Sequence, residues 1–252
     1  MSPSLPGGRA VPDGPSVGVR SGIPAAARTR VPLRLAHRGD HRQVAENSLV
    51  ALRSALAIPG VDGLEFDVRV SADGVPILLH DAALERVQGR PERAADLTSA
   101  ALQGLGVPTL VDALAAAPAP AILDIELKED IGEAVAAVVR EARGDPPAGV
   151  VLSSFDITAL ERLRDLVPGW PRWLNAIRLD DDSVATALDL GCVGISAAWR
   201  SIDGPAMEHA RAAGLEVAAW TVTDASVADR LAALGVVALC VEGEALTAAA
   251  AP

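Results

Sequence analysis

The sequence predicts an α/β chain of the (β/α)8 barrel class, with a short insertion between the second strand and its helix. Three observations carry that prediction. Eight short β-rich runs alternate with helical segments from residue 33 onward. The chain has 252 residues and is 50% hydrophobic, which suits one large core of this type. A single tight-turn signal, Ser71-Ala72-Asp73-Gly74, interrupts the alternation directly after the second run.

The strand candidates, in order, are 33–37, 63–70, 121–128, 150–155, 172–177, 193–196, 216–222 and 237–242. They are short and largely apolar, and most contain β-branched residues. The helical segments between them are 48–57, 109–117, 132–143, 157–166, 181–190, 204–213 and 225–234. They carry apolar residues at i, i+3 and i+4, as in Val135, Val138 and Val139. Asn47-Ser48 reads as the cap of the first helix and Asp180-Asp181-Asp182 as the start of another. Only residues 245–251 follow the last strand, so the closing helix is expected to be short or missing. After the turn at 71–74, Val75-Pro76-Ile77-Leu78-Leu79-His80 must run back antiparallel. The insertion therefore spans about 71–107 and brings His80 and Asp81 towards the strand ends.

Residues 1–32 are rich in Pro, Gly, Ser and Arg and lack any periodic pattern, so they read as a disordered tail, with the barrel at 33–252. The tail has a net charge of +3, which leaves −14 on the remainder of a chain whose total is −11. A body that acidic argues against nucleic acid as a partner. No apolar run resembles a signal-peptide core or reaches the ~20 residues of a membrane span. The expectation is a soluble, cytoplasmic protein with no stable membrane insertion. Cys192 and Cys240 form no CxxC pair and read as small core residues.

In a parallel barrel all strand ends open on one rim, where active sites are built. His37 and Arg38 end the first strand. Glu65 and Asp67, two apart and so on one face, end the second; Glu126 and Lys128 do the same on the third. Trp220 near the end of the seventh strand reads as a wall for an organic group. Lys128 is the single lysine beside twenty-one arginines, which suggests a position where a compact point charge is required. His41 and His209 lack polar company in the sequence and read as surface residues. Three carboxylates without a thiolate suit one hard divalent cation, Mg2+ or Ca2+. Arg38 and Lys128 suit an anionic substrate, and two histidines can divide general base and general acid work. The set describes phosphoester cleavage.

The ordered series Leu35-Ala36-His37-Arg38-Gly39, Glu46-Asn47-Ser48, Asp62-Gly63-Leu64-Glu65-Phe66-Asp67-Val68, Asp73-Gly74-Val75-Pro76, His80-Asp81, Leu84-Glu85-Arg86, Val107-Pro108-Thr109-Leu110, Ile125-Glu126-Leu127-Lys128, Ser153-Ser154-Phe155-Asp156 and Trp220-Thr221-Val222 resembles the glycerophosphodiester phosphodiesterase family from about residue 33 to 242. The resemblance implies a metal-dependent barrel that hydrolyses small-molecule glycerophosphodiesters to glycerol 3-phosphate and an alcohol. It implies Glu65, Asp67 and Glu126 as metal ligands, His37 and His80 as the acid/base pair, and Arg38 and Lys128 as phosphate contacts. The chain departs from the family pattern after the last strand, where Val241-Glu242-Gly243-Glu244 stands in place of Thr-Asp. Thr223 also replaces an asparagine. Two further readings fit the same fold: a barrel phosphodiesterase acting on phospholipid head groups, and a non-catalytic glycerophosphate-binding barrel.

Overall fold

The computed structural model describes residues 32–248. The tail expected over 1–32 lies outside the described residues, apart from Pro32. The barrel strands are β1 (Leu33–His37), β2 (Gly63–Val70), β4 (Ile122–Leu127), β5 (Val150–Ser154), β6 (Arg172–Ala176), β7 (Gly194–Ala198), β8 (Glu216–Val222) and β9 (Ala238–Val241). All neighbouring pairs among them are parallel, and β1 pairs with both β9 and β2, which closes the sheet. This is the eight-stranded barrel that the alternation predicts. β1, β2 and β8 have the ranges read in the sequence, and the other five differ by one or two residues at an end, where pairing rather than composition sets the limit.

The connecting helices are α1 (Leu49–Leu56), α4 (Leu110–Ala116), α5 (Gly132–Arg143), α6 (Ile157–Leu166), α7 (Asp181–Asp189), α8 (Gly204–Ala212) and α9 (Ala225–Leu234), with a one-turn α10 (Gly243–Thr247) closing the chain. Their starts are chemically marked. Ser48, Thr109, Asp156, Asp180, Asp203 and Asp224 each accept from a backbone N–H of the first turn. The short α10 is held from below: Arg34 donates to the carbonyls of Ala245, Leu246 and Ala248 at 2.5–2.6 Å.

The antiparallel return is β3 (Pro76–Leu78), paired to β2 through Val68–Leu78 and Val70–Pro76. The rest of the insertion carries α2 (Glu85–Gln88), a 3-10 turn (Ala94–Asp96) and α3 (Ser99–Gly104). It has its own small core of Ile77, Leu79, Leu84, Ala94, Leu102 and Val107. Asp73 ties its turn down by accepting from the Ser71 and Ser99 hydroxyls and the Ser99 N–H.

The barrel interior is layered. At the strand starts, Leu33, Leu35, Ile122, Val151, Trp173, Ala218 and Ala238 form a dry plug. Trp173 needs Gly194 opposite it, where a Cβ would lie 2.9 Å from the indole ring. The main apolar core lies outside the sheet, under the helices, and includes Phe66, Leu123, Ile125, Val139, Leu163, Trp170, Leu174 and Ile195. Above the plug the interior turns polar, with Asp124, Ser153, Glu65, Asn175 and Ser196 all buried. That polar layer opens at the strand ends.

Candidate active site

A cavity of about 130 Å³ sits at the strand ends, lined by His37, Arg38, Glu65, His80, Glu126 and Lys128, with Asp124 and Cys240 deeper and Phe155 and Trp220 among its walls. Seven of the eight residues singled out from the sequence line it. The eighth, Asp67, lies fully buried beside them.

The carboxylates come from adjacent strands in register. Asp67 pairs with Glu126 and Glu65 with Asp124 across β2 and β4. Alternation points all four inward. Oxygens of Glu65, Asp67 and Glu126 lie within 4.8 Å of one another. Lys128 sits in this cluster: its Nζ is 2.8 Å from Asp67 Oδ1 and hydrogen-bonded to Glu126 Oε1. Arg38 approaches from the other side, with Nε 2.9 Å from Asp67 Oδ2 and a guanidinium nitrogen donating to Glu46 at 2.9 Å. Burial, then the charges of Asp67, Glu126 and Asp124, push Glu65 well above the ordinary carboxylate range. Burial likewise raises Glu126. Burial also works against ionised Asp67, but Lys128 and Arg38 outweigh it and hold its pKa down. Asp124, buried with only the Ser153 hydroxyl at 2.5 Å, is pushed up to about 7. The cluster thus holds more carboxylate than its two cations neutralise. Its oxygen-only donors, with a lysine ammonium already seated among them, fit a hard divalent cation.

The histidines flank the cluster. His37 Nδ1 is hydrogen-bonded to Glu242 Oε1 and its Nε2 is 3.7 Å from Glu65 Oε2. His80 is brought back by β3, as the turn signal predicts. Its Nδ1 is 2.6 Å from Asp81 Oδ1, and its carbonyl accepts from Arg69 at 2.8 Å. Burial lowers the pKa of His80, with Asp81 opposing. Asp81 and Glu46 are both held by Arg86, at 2.6 Å and 2.7–2.9 Å, which links the insertion to the β1 loop.

Two non-glycine residues here adopt left-handed backbone, Arg38 (φ 57°) and Asn47 (φ 54°), and the Asn47 N–H donates to the Arg38 carbonyl at 3.0 Å. Such strain concentrates at functional sites. Gly39 (φ 81°) completes the turn: a Cβ there would lie 2.6 Å from the backbone of Ala51. Trp220 lies in a register irregularity between Ala219 and Val222, its indole N–H donating to Ser196 O at 2.8 Å. It meets Phe155 edge-on at 5.5 Å.

Three residues have roles that the sequence reading did not give them. Asn47 does not cap α1; Ser48 does, and Asn47 instead donates to Asp67 Oδ2 at 2.8 Å from a buried position. Glu242, read as a loss at the end of the last strand, is the hydrogen-bond partner of His37. His41 is not a bare surface residue: it is half-buried, and its Nε2 lies 3.4 Å from the same Glu242 oxygen. His209 is half-exposed near Asp181, as a surface residue should be. The period-two series Asp124-x-Glu126-x-Lys128 could have revealed Asp124. The end of the eighth strand puts Glu242 on the rim, but nothing local could have revealed its pairing with His37 and His41, which meet it only when β9 closes on β1.

A sequence model of the glycerophosphoryl diester phosphodiesterase family matches residues 37–243. Glycerophosphodiester phosphodiesterase 1 of Bos taurus is 42% identical over 64 residues, which is 25% of this chain and 19% of the relative. The matched segment thus spans about a fifth of that relative's length. Among solved structures, an Oleispira antarctica phosphodiesterase in complex with the product sn-glycerol-3-phosphate aligns with a TM-score of 0.75 and 26% identity. That alignment covers 85% of this chain and 94% of the other. A glycerophosphodiester phosphodiesterase from Agrobacterium tumefaciens aligns with a TM-score of 0.72 and 26% identity, covering 86% and 98%.

Proposed function

The chain belongs to the glycerophosphoryl diester phosphodiesterase family, and from that premise we propose that it hydrolyses glycerophosphodiesters to glycerol 3-phosphate and an alcohol. The observation that carries the proposal is one cavity lined by both histidines, both basic residues and the carboxylate cluster.

His37 is the general base. Its Nδ1–H donates to Glu242, which leaves the Nε2 lone pair free to take a proton. The attacking oxygen, of a water or of the neighbouring glycerol hydroxyl, gives its proton to Nε2 as it bonds to phosphorus. The bond from phosphorus to the departing alcohol breaks, and His80 supplies the proton that this oxygen needs. Asp81 holds His80 for that task from Nδ1. Attack by the glycerol hydroxyl passes through a cyclic phosphate; attack by water does not. Arg38 and Lys128 bind the phosphate oxygens and offset the charge that grows there. Trp220, with Phe155 against it, forms the wall for the alcohol group. Glu65, Asp67 and Glu126 would hold one divalent cation, Mg2+ or Ca2+, which when bound neutralises phosphate charge and polarises the phosphorus centre. The Lys128 ammonium, now on Asp67 and Glu126, would turn towards the substrate when a cation takes those carboxylates.

The decisive assay is release of glycerol 3-phosphate from glycerophosphocholine. Turnover should vanish with EDTA and return on adding Mg2+ or Ca2+; no turnover under any divalent metal would sink this reading. A phospholipid substrate is a second reading, favoured by the exposed Phe155, Ile157 and Ile177 that follow β5 and β6 beside the mouth. Phospholipid vesicles assayed in parallel separate the two. No helix among the described residues is long and apolar enough to cross a membrane.

A further inference from the structure

The mouth of the barrel holds a second donor set that the proposed reaction does not call for. His37 Nδ1, His41 Nε2 and a Glu242 oxygen lie within 4.8 Å of one another. They share no residue with the oxygen-only cluster of Glu65, Asp67 and Glu126. His41 Nε2 is shielded from solvent and makes no well-aligned hydrogen bond, although it faces the Glu242 carboxylate at 3.4 Å. A shielded imidazole nitrogen facing a carboxylate oxygen at that distance has the spacing of two ligands of one ion. The edge of a tetrahedral zinc site with bonds of about 2.0–2.1 Å is itself about 3.3–3.4 Å long. The His37–Glu242 contact is a short hydrogen bond and must lengthen by close to an ångström to match.

We propose that His37, His41 and Glu242 form a second cation site, selective for a borderline transition metal such as Zn2+, whose filling switches the enzyme off. Two imidazole nitrogens and one carboxylate favour Zn2+ over Mg2+ or Ca2+, whereas three carboxylates favour the hard ions. The two sites therefore sort metals by donor type while sitting side by side, with His37 Nε2 3.7 Å from Glu65.

The switch follows from the tautomer of His37. With its proton on Nδ1 and donated to Glu242, His37 presents a free lone pair at Nε2. A metal at Nδ1 needs the lone pair there, so the neutral ring must carry its proton on Nε2. One proton leaves Nδ1 and one is gained at Nε2 through solvent, and the ring stays neutral. Nε2 is then a donor and cannot accept a proton from the attacking oxygen. This consequence rests on the reading of His37 as the base; the metal site itself does not. Zn2+ should lower kcat and leave KM little changed, because the phosphate contacts are not displaced.

The test uses the full chain stripped of metal and then held in excess Mg2+ or Ca2+ to fill the carboxylate site. Equilibrium dialysis should find one further Zn2+ per chain, and Co2+ in its place should give a visible absorption band of low-coordinate nitrogen and oxygen ligation. His41→Gln should weaken that binding by at least about tenfold, since losing even a supporting partner of a ligand costs 10–100-fold. It should leave turnover without zinc intact and relieve inhibition in parallel. Glu242→Gln, read by dialysis alone, guards against a folding artefact at residue 41. If His41→Gln binds Zn2+ and is inhibited by it like the parent, the site is elsewhere and the proposal fails. If binding is lost but inhibition persists, the switch fails. Should the chain show no turnover at all, the functional reading falls while dialysis still decides the site.

Discussion

The two ends of the barrel use arginine for opposite purposes. At the strand-start end, Arg172 is buried and its guanidinium donates to the carbonyls of Val167, Trp170, Leu190 and Gly191 at 3.0–3.5 Å. Arg34 does the same for α10, and Arg143 bonds the carbonyls of Ala117, Ala121 and Ala148. These guanidinium groups satisfy orphaned helix-end and loop carbonyls. At the strand-end rim, Arg38 and Lys128 face carboxylates instead. One end spends its cations on holding the chain together. The other holds cations and anions in a balance that a substrate can disturb, which is the division expected of this fold.

The comparison breaks first at the histidines. His37→Ala and His80→Ala should each lower kcat by ~10²–10⁴-fold, the usual loss of an acid/base group. The melting temperature should barely move. A mild loss in either would mean that the roles are misassigned.

The opposite end predicts the reverse. Arg172→Ala leaves several buried carbonyls without their donor and opens a cavity, at a cost of about 2–4 kcal/mol in denaturant unfolding. The folded variant should keep the kcat and KM of the parent. A loss of activity in protein shown to be folded would abolish the distinction between the two ends.

Glu242→Gln probes a residue that the sequence places at a strand end but whose partner, His37, could not be read from it. The substitution should lower kcat by at least about 10-fold, because an amide can offer an N–H where His37 needs an acceptor and so disfavours the tautomer that the proposed base requires. KM for glycerophosphocholine should change little. A rise in KM with kcat unchanged would make Glu242 a substrate contact instead.

Much of this site was legible because β-strands alternate. Glu65-x-Asp67 and Glu126-x-Lys128 are local patterns, and the turn at Ser71–Gly74 announced that His80 comes back to the rim. What escaped depends on closure. Glu242 reaches His37 across 205 residues and only because β9 pairs with β1. Asn47 and Ser48 read together as the cap because both residue types favour that position; Ser48 takes it and Asn47 does not. Its left-handed backbone turns it to Asp67 instead. The carbonyl-bound arginines were invisible for a different reason: Arg34 and Arg172 sit at strand starts, where a charged residue reads as an exposed end.

The smallest expected effect concerns Lys128, the one place where this arginine-rich chain keeps lysine. Its Nζ is shared between Asp67 and Glu126 in a space with little exposure to solvent. A compact ammonium can turn from one carboxylate oxygen to another, or to a phosphate, by rotating its stem. A guanidinium is planar, larger, and prefers to lock two oxygens of one partner at once. Lys128→Arg should therefore keep the charge yet bind the carboxylates too rigidly to release them to substrate. The expected loss is about tenfold in kcat/KM, equivalent to about 1.4 kcal/mol of transition-state stabilisation. The requirement for Mg2+ or Ca2+ should rise in parallel, since a fixed fork competes with the cation for Asp67 and Glu126. If Lys128→Arg keeps full activity and the same metal dependence, the lone lysine is an accident of composition. The rim would then discriminate charge but not its shape.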